Sequence, residues 1–200
     1  MNIYVIIESS KNKNRGVILD MIVGLIILVI LIVLICVGYN SLIKLKNMVK
    51  DQWSQIDVLL KRRYDLIPNL VEVVKGYASH EKETLEAVIN ARNKATTSNS
   101  VEESVNANNE LQGALNRLFA LSEAYPNLKA NTNFLDLQSN LKETEDKISY
   151  ARQFYNDSVL KYNNKVEMIP TNIVAMLFGF KKYQFFEVTE EERQVTKIKF

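Results

Sequence analysis

His80 stands between Ser79 and Glu81, and it is the chain's one imidazole. A histidine beside a hydroxyl and a carboxylate has the residue types of a general base with a nucleophile and an orienting acid. Its place in the first turn of a helix is that of a surface residue next to a cap, and this is the reading adopted. Glu102–Glu103 and Glu190–Glu191–Glu192 offer paired carboxylates, read as solvated, the second set in a polar tail. One cysteine excludes a disulfide within the chain, and with one histidine it excludes a zinc site of Cys and His ligands. There is no glycine-rich phosphate loop and no nucleophile elbow. No catalytic residue, metal or cofactor is assigned, and carboxylate-based hydrolysis is the weakest functional alternative.

A second set of charges is Glu81, Arg92, Glu145 and Arg152. Each falls about one turn from an apolar seam, so each flanks packing surface instead of pointing fully outward. One expectation is ordinary surface charge. The other is a partly buried ionic network that fixes helix register.

Elements must position these residues, and composition limits which ones. Six Gly and three Pro among 200 residues disfavour a turn-rich β fold. A net charge of +2, with Lys and Arg dispersed, excludes the basic face of a nucleic-acid binder. Residues 21–39, MIVGLIILVILIVLICVGY, are 19 positions without a charge. As a helix they cross a hydrocarbon core of roughly 30 Å. They lack a good cleavage site, so a retained single-pass anchor is expected, with Cys36 as one more apolar residue of the span. Lys11, Lys13 and Arg15 precede the span and Lys44, Lys46 and Lys50 follow it, so the positive-inside rule leaves the side of the C-terminal domain open. A start at Met21 would favour a cytoplasmic domain.

Beyond the span, Leu42, Leu45, Val49, Trp53, Ile56, Leu60, Tyr64, Ile67, Val71, Val74 and Ala78 recur every three or four residues. The stripe passes Pro68 in phase. Pro68 is therefore a kink in one helix over residues 40–75, at the loss of the hydrogen bond to the Tyr64 carbonyl. Gly76 is the expected C-cap and Ser79 the expected N-cap of a second helix ending near Ala95, with Leu85, Val88, Ile89 and Ala91 inward. Ser100 and Glu103 form a capping box for a third helix whose inner face is Val105, Leu111, Leu115, Leu118 and Leu121. The fourth starts near Asn131 and carries a heptad seam, Phe134, Leu137, Leu141, Thr144, Ile148, Ala151, Tyr155, Ser158 and Tyr162, to about Met168. The fold class is all-α: a transmembrane helix continuing into an antiparallel up-down four-helix bundle with long first and last helices. The expected boundaries are a flank over 1–20, the span over 21–39, the bundle over 40–170, an apolar segment over 171–186 and a polar tail over 187–200.

Three stretches carry a resemblance: QWSQIDVLLKRRYDLIPNLVEVVKGYASHEKETLEAVINAR (residues 52–92), EAYPNLKANTNFLDLQSNLKETEDKISYARQFYND (123–157) and YNNKVEMIP (162–170). Together they resemble the LemA family. The resemblance implies a bacterial single-pass membrane protein with a helical-bundle domain and no established catalytic activity. One branch of that family is implicated in forming intracellular membranes, and other members are encoded near membrane proteases. The implied partners are the lipid bilayer and an unknown protein, a membrane protease or another envelope protein, and not nucleic acid.

The topology adds two expectations. The fourth helix returns to the membrane, so Met176, Leu177, Phe178 and Phe180, followed by Lys181 and Lys182, either dock on the bundle or lie at the lipid surface. At the opposite pole Tyr77, Ser79, His80 and Glu81 should stand near Tyr125, Pro126, Asn127 and Asn131. Those residues either cap helix ends or form a recognition patch for a protein partner. A membrane-tethered scaffold is the leading function. A sensor that passes a helix shift through the anchor, hinged at Pro68, is the alternative.

Overall fold

The first helix is far longer than residues 40–75. The computed structural model describes residues 3–98 and 100–186, with side chains from Leu19 onward. The expected polar tail over 187–200 lies outside the described residues. Helix α1 runs unbroken over Ile3–Tyr77, 75 residues and about 110 Å at 1.5 Å per residue. It absorbs the flank, the apolar run and the first bundle helix in one element. It is the one described helix long and apolar enough to cross a membrane, and the side chains of residues 19–37 are all exposed.

Five further helices follow: α2 (Lys82–Thr96), α3 (Val101–Ser122), α4 (Pro126–Lys129), α5 (Thr132–Glu167) and α6 (Thr171–Leu177). No strand occurs among the described residues. The expected count of four is corrected to six. Pro126 cannot continue α3 but suits the first position of a new helix, so the anticipated turn becomes the one-turn α4. After Pro170 the apolar segment folds into α6 against α1 and α5.

α1 and α5 pack along their length and run antiparallel. Gly38 lies against Thr171 and Val174, Arg63 against Glu145, and Tyr77 against Asn131. α2 and α3 form a hairpin seated on α1 through α2. The core is the sum of the seams. Leu42, Val49, Ile56, Leu60, Tyr64, Ile67, Val71, Val74 and Ala78 of the first stripe are buried, with Leu45 and Trp53 partly so. On α5 the seam is buried from Phe134 to Tyr162, with Leu137 packed against it from the edge.

Several local readings are corrected. Ile89 is 40% exposed, and Ala95 takes its place on the inner face of α2. Leu121 is half-buried. Gly76 is not a left-handed cap. α1 extends through Tyr77, and the Ala78 N–H still bonds to the Val74 carbonyl, because Ala78 is held in the core. Ser79 is not the N-cap of α2 and His80 is not in its first turn. Both lie in the preceding turn, and Glu81 holds the cap position with no side-chain cap bond. Ser100 does accept from the Glu103 N–H, and Asn131 caps α5 by accepting from the Phe134 N–H.

The structure answers how α1 tolerates Pro68. A proline at 68 leaves the Tyr64 carbonyl without its helical donor. Arg92 of α2 reaches across and donates Nε–H to that carbonyl at 3.1 Å. Arg92 is therefore a backbone surrogate joining α2 to the weak point of α1. Arg92→Ala should cost about 1–3 kcal/mol by orphaning a part-buried carbonyl. In a Pro68→Ala background the restored N–H satisfies Tyr64, and the same change should cost markedly less. Additivity of the two changes within about 0.5 kcal/mol in chemical denaturation would refute this coupling.

Candidate functional site

The residues named from sequence gather at three places along α1. The first is the pole beyond Tyr77. Tyr125 donates its hydroxyl to Glu81 Oε1 at 2.9 Å, and Asn131 donates Nδ2–H to the Tyr77 hydroxyl at 2.9 Å. The Asn131 amide works twice, its oxygen capping α5 while its nitrogen holds Tyr77. The hydrogen bond to Glu81 raises the Tyr125 phenol above its usual pKa. Tyr77 is 45% exposed, and Ser79, His80, Pro126 and Asn127 are exposed around it. The turn after α1 and the α3–α5 connection thus meet across more than forty residues of sequence.

The second place is mid-bundle. Glu81, Arg92 and Glu145 each have a partner outside the expected set of four. Glu81 is tied to Tyr125 and Arg92 to the Tyr64 carbonyl, while Glu145 pairs with a residue the sequence reading passed over, Arg63. The Arg63 side chain is 2% exposed, and its Nη1 lies 2.7 Å from Glu145 Oε2. That contact is an ion pair in distance but is not aligned as a hydrogen bond, which leaves Glu145 Oε2 without one. Arg63 also donates Nη2–H to Gln112 of α3. One guanidinium therefore links α1, α3 and α5. Burial, and then the Arg152 charge, push its pKa below the usual guanidinium range, opposed by Glu145. Arg152 itself lies over the Phe186 ring at 4.5 Å. The signal for Arg63 is in the sequence. Arg63 and Leu70 stand at helical spacing with Ile56, Leu60, Ile67 and Val74 of the first stripe and widen it on one side, and a charge in that register is buried.

Beside this centre an open cleft of about 630 Å³ is lined by Asp57, Lys61, Tyr64, Asp65, Arg92 and Ser104, among others. Burial raises the Asp57 carboxyl above its usual pKa. Two acids facing two bases select no single charge class of ligand.

The third place is the base, and the sequence reading missed most of it. After α6 the chain reverses at Gly179, φ 70°, with the Phe180 N–H bonded to the Ala175 carbonyl and the Gly179 N–H to the Met176 carbonyl. That is a Schellman cap, where a left-handed residue favours glycine. Residues 180–186 then return along α5 as a strap without regular structure. Asn163 both donates to the Tyr183 carbonyl and accepts from the Tyr183 N–H, and Asn156 does the same at Phe186. Tyr162 donates its hydroxyl to the Lys181 carbonyl and Tyr155 to the Gln184 carbonyl. The signal was a Tyr-Asn pair repeated seven residues apart, Tyr155-Asn156 and Tyr162-Asn163, which puts two identical grips on one face. Phe180 is turned inward onto Tyr39 with Lys46 over its ring, Lys182 pairs with Glu167, and Met176, Leu177, Phe178 and Lys181 are exposed.

Comparison with known proteins supplies relatives for this arrangement. Magnetosome protein MamQ of Magnetospirillum gryphiswaldense is 24% identical over 211 aligned positions, covering 92% of this chain and 78% of the relative. Magnetosome protein MamQ 2 of Paramagnetospirillum magneticum is 23% identical over 212 positions, covering the same shares. Protein LemA of Metamycoplasma hominis is 28% identical over 158 positions, covering 77% of this chain and 71% of the relative. The LemA family model matches residues 52–200, a stretch that holds the pole, the Arg63 centre and the strap alike, and the chain belongs to the LemA family.

Proposed function

We propose that the protein is a membrane-anchored helical scaffold, with residues 21–39 as a single-pass span and the four longer helices as one up-down bundle. Its distal pole is the docking site for a protein partner. The observation that carries this reading is the continuity of α1, which holds the apolar run at one end and Tyr77 at the other. From Tyr39 to Tyr77 the helix rises about 57 Å at 1.5 Å per residue, so the pole stands at a set height above the bilayer. The pole's tyrosines offer aromatic area with polar tips, a composition common where proteins bind. A hydrolase reading is disfavoured because Glu81 and Glu145 are engaged by Tyr125 and Arg63. The magnetosome relatives favour membrane organisation over envelope protein quality control as the setting.

The test places a photo-cross-linking residue at Asn127 of the full chain in native membranes. Tyr77→Ala with Tyr125→Ala should abolish the specific adduct. The pair loses two side-chain hydrogen bonds and the packing of Tyr125 against the core edge, so it should be less stable but still folded. Tyr77→Phe with Tyr125→Phe keeps the rings and should keep the adduct. An unchanged adduct in the folded Ala pair puts the docking surface elsewhere. Loss of helical circular dichroism in that pair makes the tyrosines structural caps only.

A further inference from the structure

We propose that the outward face of α6, with the residues flanking it, is a second membrane contact that lies in the plane of the lipid headgroups beside the span. This rests on the reading of residues 21–39 as the span and adds to it a lipid-binding foot.

α6 has the sequence TNIVAML, without a charge. Thr171, Val174 and Ala175 are buried against the bundle. Ile173, Met176 and Leu177 point the other way, and Met176 is 81% exposed. Ile169, just before the helix, is also 81% exposed, and Phe178, just after it, is half-exposed. Five of the seven residues of α6 are apolar, and the bundle covers only Val174 and Ala175 of them, leaving Ile173, Met176 and Leu177 uncovered. A contiguous apolar face of this kind on a water-soluble surface marks an interaction site.

Position identifies the occupant. A Cβ built on Gly38 would lie 3.2 Å from Val174 Cγ2 and 3.6 Å from Thr171 Cγ2, so α6 sits directly on the last turn of the apolar run. That run of 19 residues rises about 28 Å as a helix, against a hydrocarbon core of roughly 30 Å. The whole run is needed to cross, which leaves Gly38 at the hydrocarbon boundary. Whatever packs on Gly38 is at the same level. The surrounding side chains suit that level. The Tyr39 ring meets that of Phe178 at a tilt, centroids 4.8 Å apart, and that of Phe180 edge-on at 5.7 Å, an aromatic group of the kind found at membrane interfaces. Exposed Lys44 and Lys181 lie beyond it, where lipid phosphates are met. Seven residues cannot span, so the helix lies in the plane. The strap gripped by Asn156 and Asn163 then holds the foot against the bundle from the other side.

The experiment uses the full chain in lipid vesicles, in a Cys36→Ser background. Single cysteines, Ile173→Cys, Met176→Cys and Leu177→Cys, carry an environment-sensitive fluorophore. Val29→Cys marks the middle of the span, and Tyr150→Cys marks an exposed site up the bundle. Lipids with a nitroxide high or low on the acyl chain serve as quenchers. Labels at 173, 176 and 177 should lose emission to the shallow quencher, the label at 29 to the deep one, and the label at 150 to neither. Quenching at 29 without quenching at the three foot positions overturns the foot and leaves the span. No quenching at 29 overturns both. If the foot labels ignore both quenchers and respond instead to dilution with empty lipid, the face meets a second copy of the chain and the inference fails.

Discussion

Arg63→Ala is expected to cost about 3–5 kcal/mol of folding stability, as removing one partner of a buried ion pair does. The guanidinium is 2% exposed, and truncating it leaves Glu145 without its partner and Gln112 without its donor. Burial already disfavours the charge, as its lowered pKa indicates, so the site holds it only through those contacts. Arg63→Lys should recover little. A single ammonium lacks the planar fork that lets one group reach α3 and α5 together. Arg63→Met with Glu145→Leu removes both charges while keeping volume, and should be much more stable than Arg63→Ala alone. Chemical denaturation of the detergent-solubilised chain, followed by the emission of its one tryptophan, Trp53, measures all three variants against the unsubstituted chain. A loss below about 1 kcal/mol for Arg63→Ala would mean that the buried pair contributes no more than an exposed one.

That centre also marks where sequence reasoning reached and where it stopped. The long seams of α1 and α5 were legible because each is buried along one side, and a spacing of three and four residues records that directly. The meeting of Tyr77 with Asn131 and of Tyr125 with Glu81 followed from chain reversal alone. A single narrow stripe leaves Arg63 out, because α1 has two neighbours, α5 and the α2–α3 hairpin, and so buries a wider face. The wider face also hides why Pro68 is tolerated, since the donor to Tyr64 arrives from Arg92 on another helix. Gly76 and Ser79 have residue types that suit caps, but the burial of Ala78 carries α1 past Gly76, and α2 begins only at Lys82, with Glu81 and not Ser79 at its cap. The strap left its trace in polar residues. Tyr155 and Tyr162 were counted as seam positions, while the asparagines after them hold the backbone of residues 183 and 186.

Asn156→Ala with Asn163→Ala should release that strap while the rest of the bundle stays folded. Four hydrogen bonds to backbone groups are removed, each worth about 1 kcal/mol. Amide hydrogen exchange at Tyr183 and Phe186 should therefore quicken by about two to three orders of magnitude, at roughly 1.4 kcal/mol per decade. Protection at Ile67 and Leu111, fully buried on α1 and α3, should hold. Phe186 is buried with its ring centroid 6.3 Å from that of Trp53, so tryptophan emission should shift to the red as it leaves. The tyrosine grips add a pH dependence. Burial, with Tyr183 nearby, raises the pKa of Tyr155 and Tyr162 above the ordinary tyrosine value of 10.0. An acid whose folded pKa is raised contributes fully below its unfolded pKa, and that contribution is lost as pH rises through the folded one. Strap docking should thus be level below pH of about 10 and weaken above it, as the phenols lose the protons they donate to the Lys181 and Gln184 carbonyls. Tyr155→Phe with Tyr162→Phe should weaken docking at neutral pH and flatten its alkaline decline, read by the same Trp53 shift. An alkaline red shift that persists undiminished in the Phe pair would assign the titration to another group.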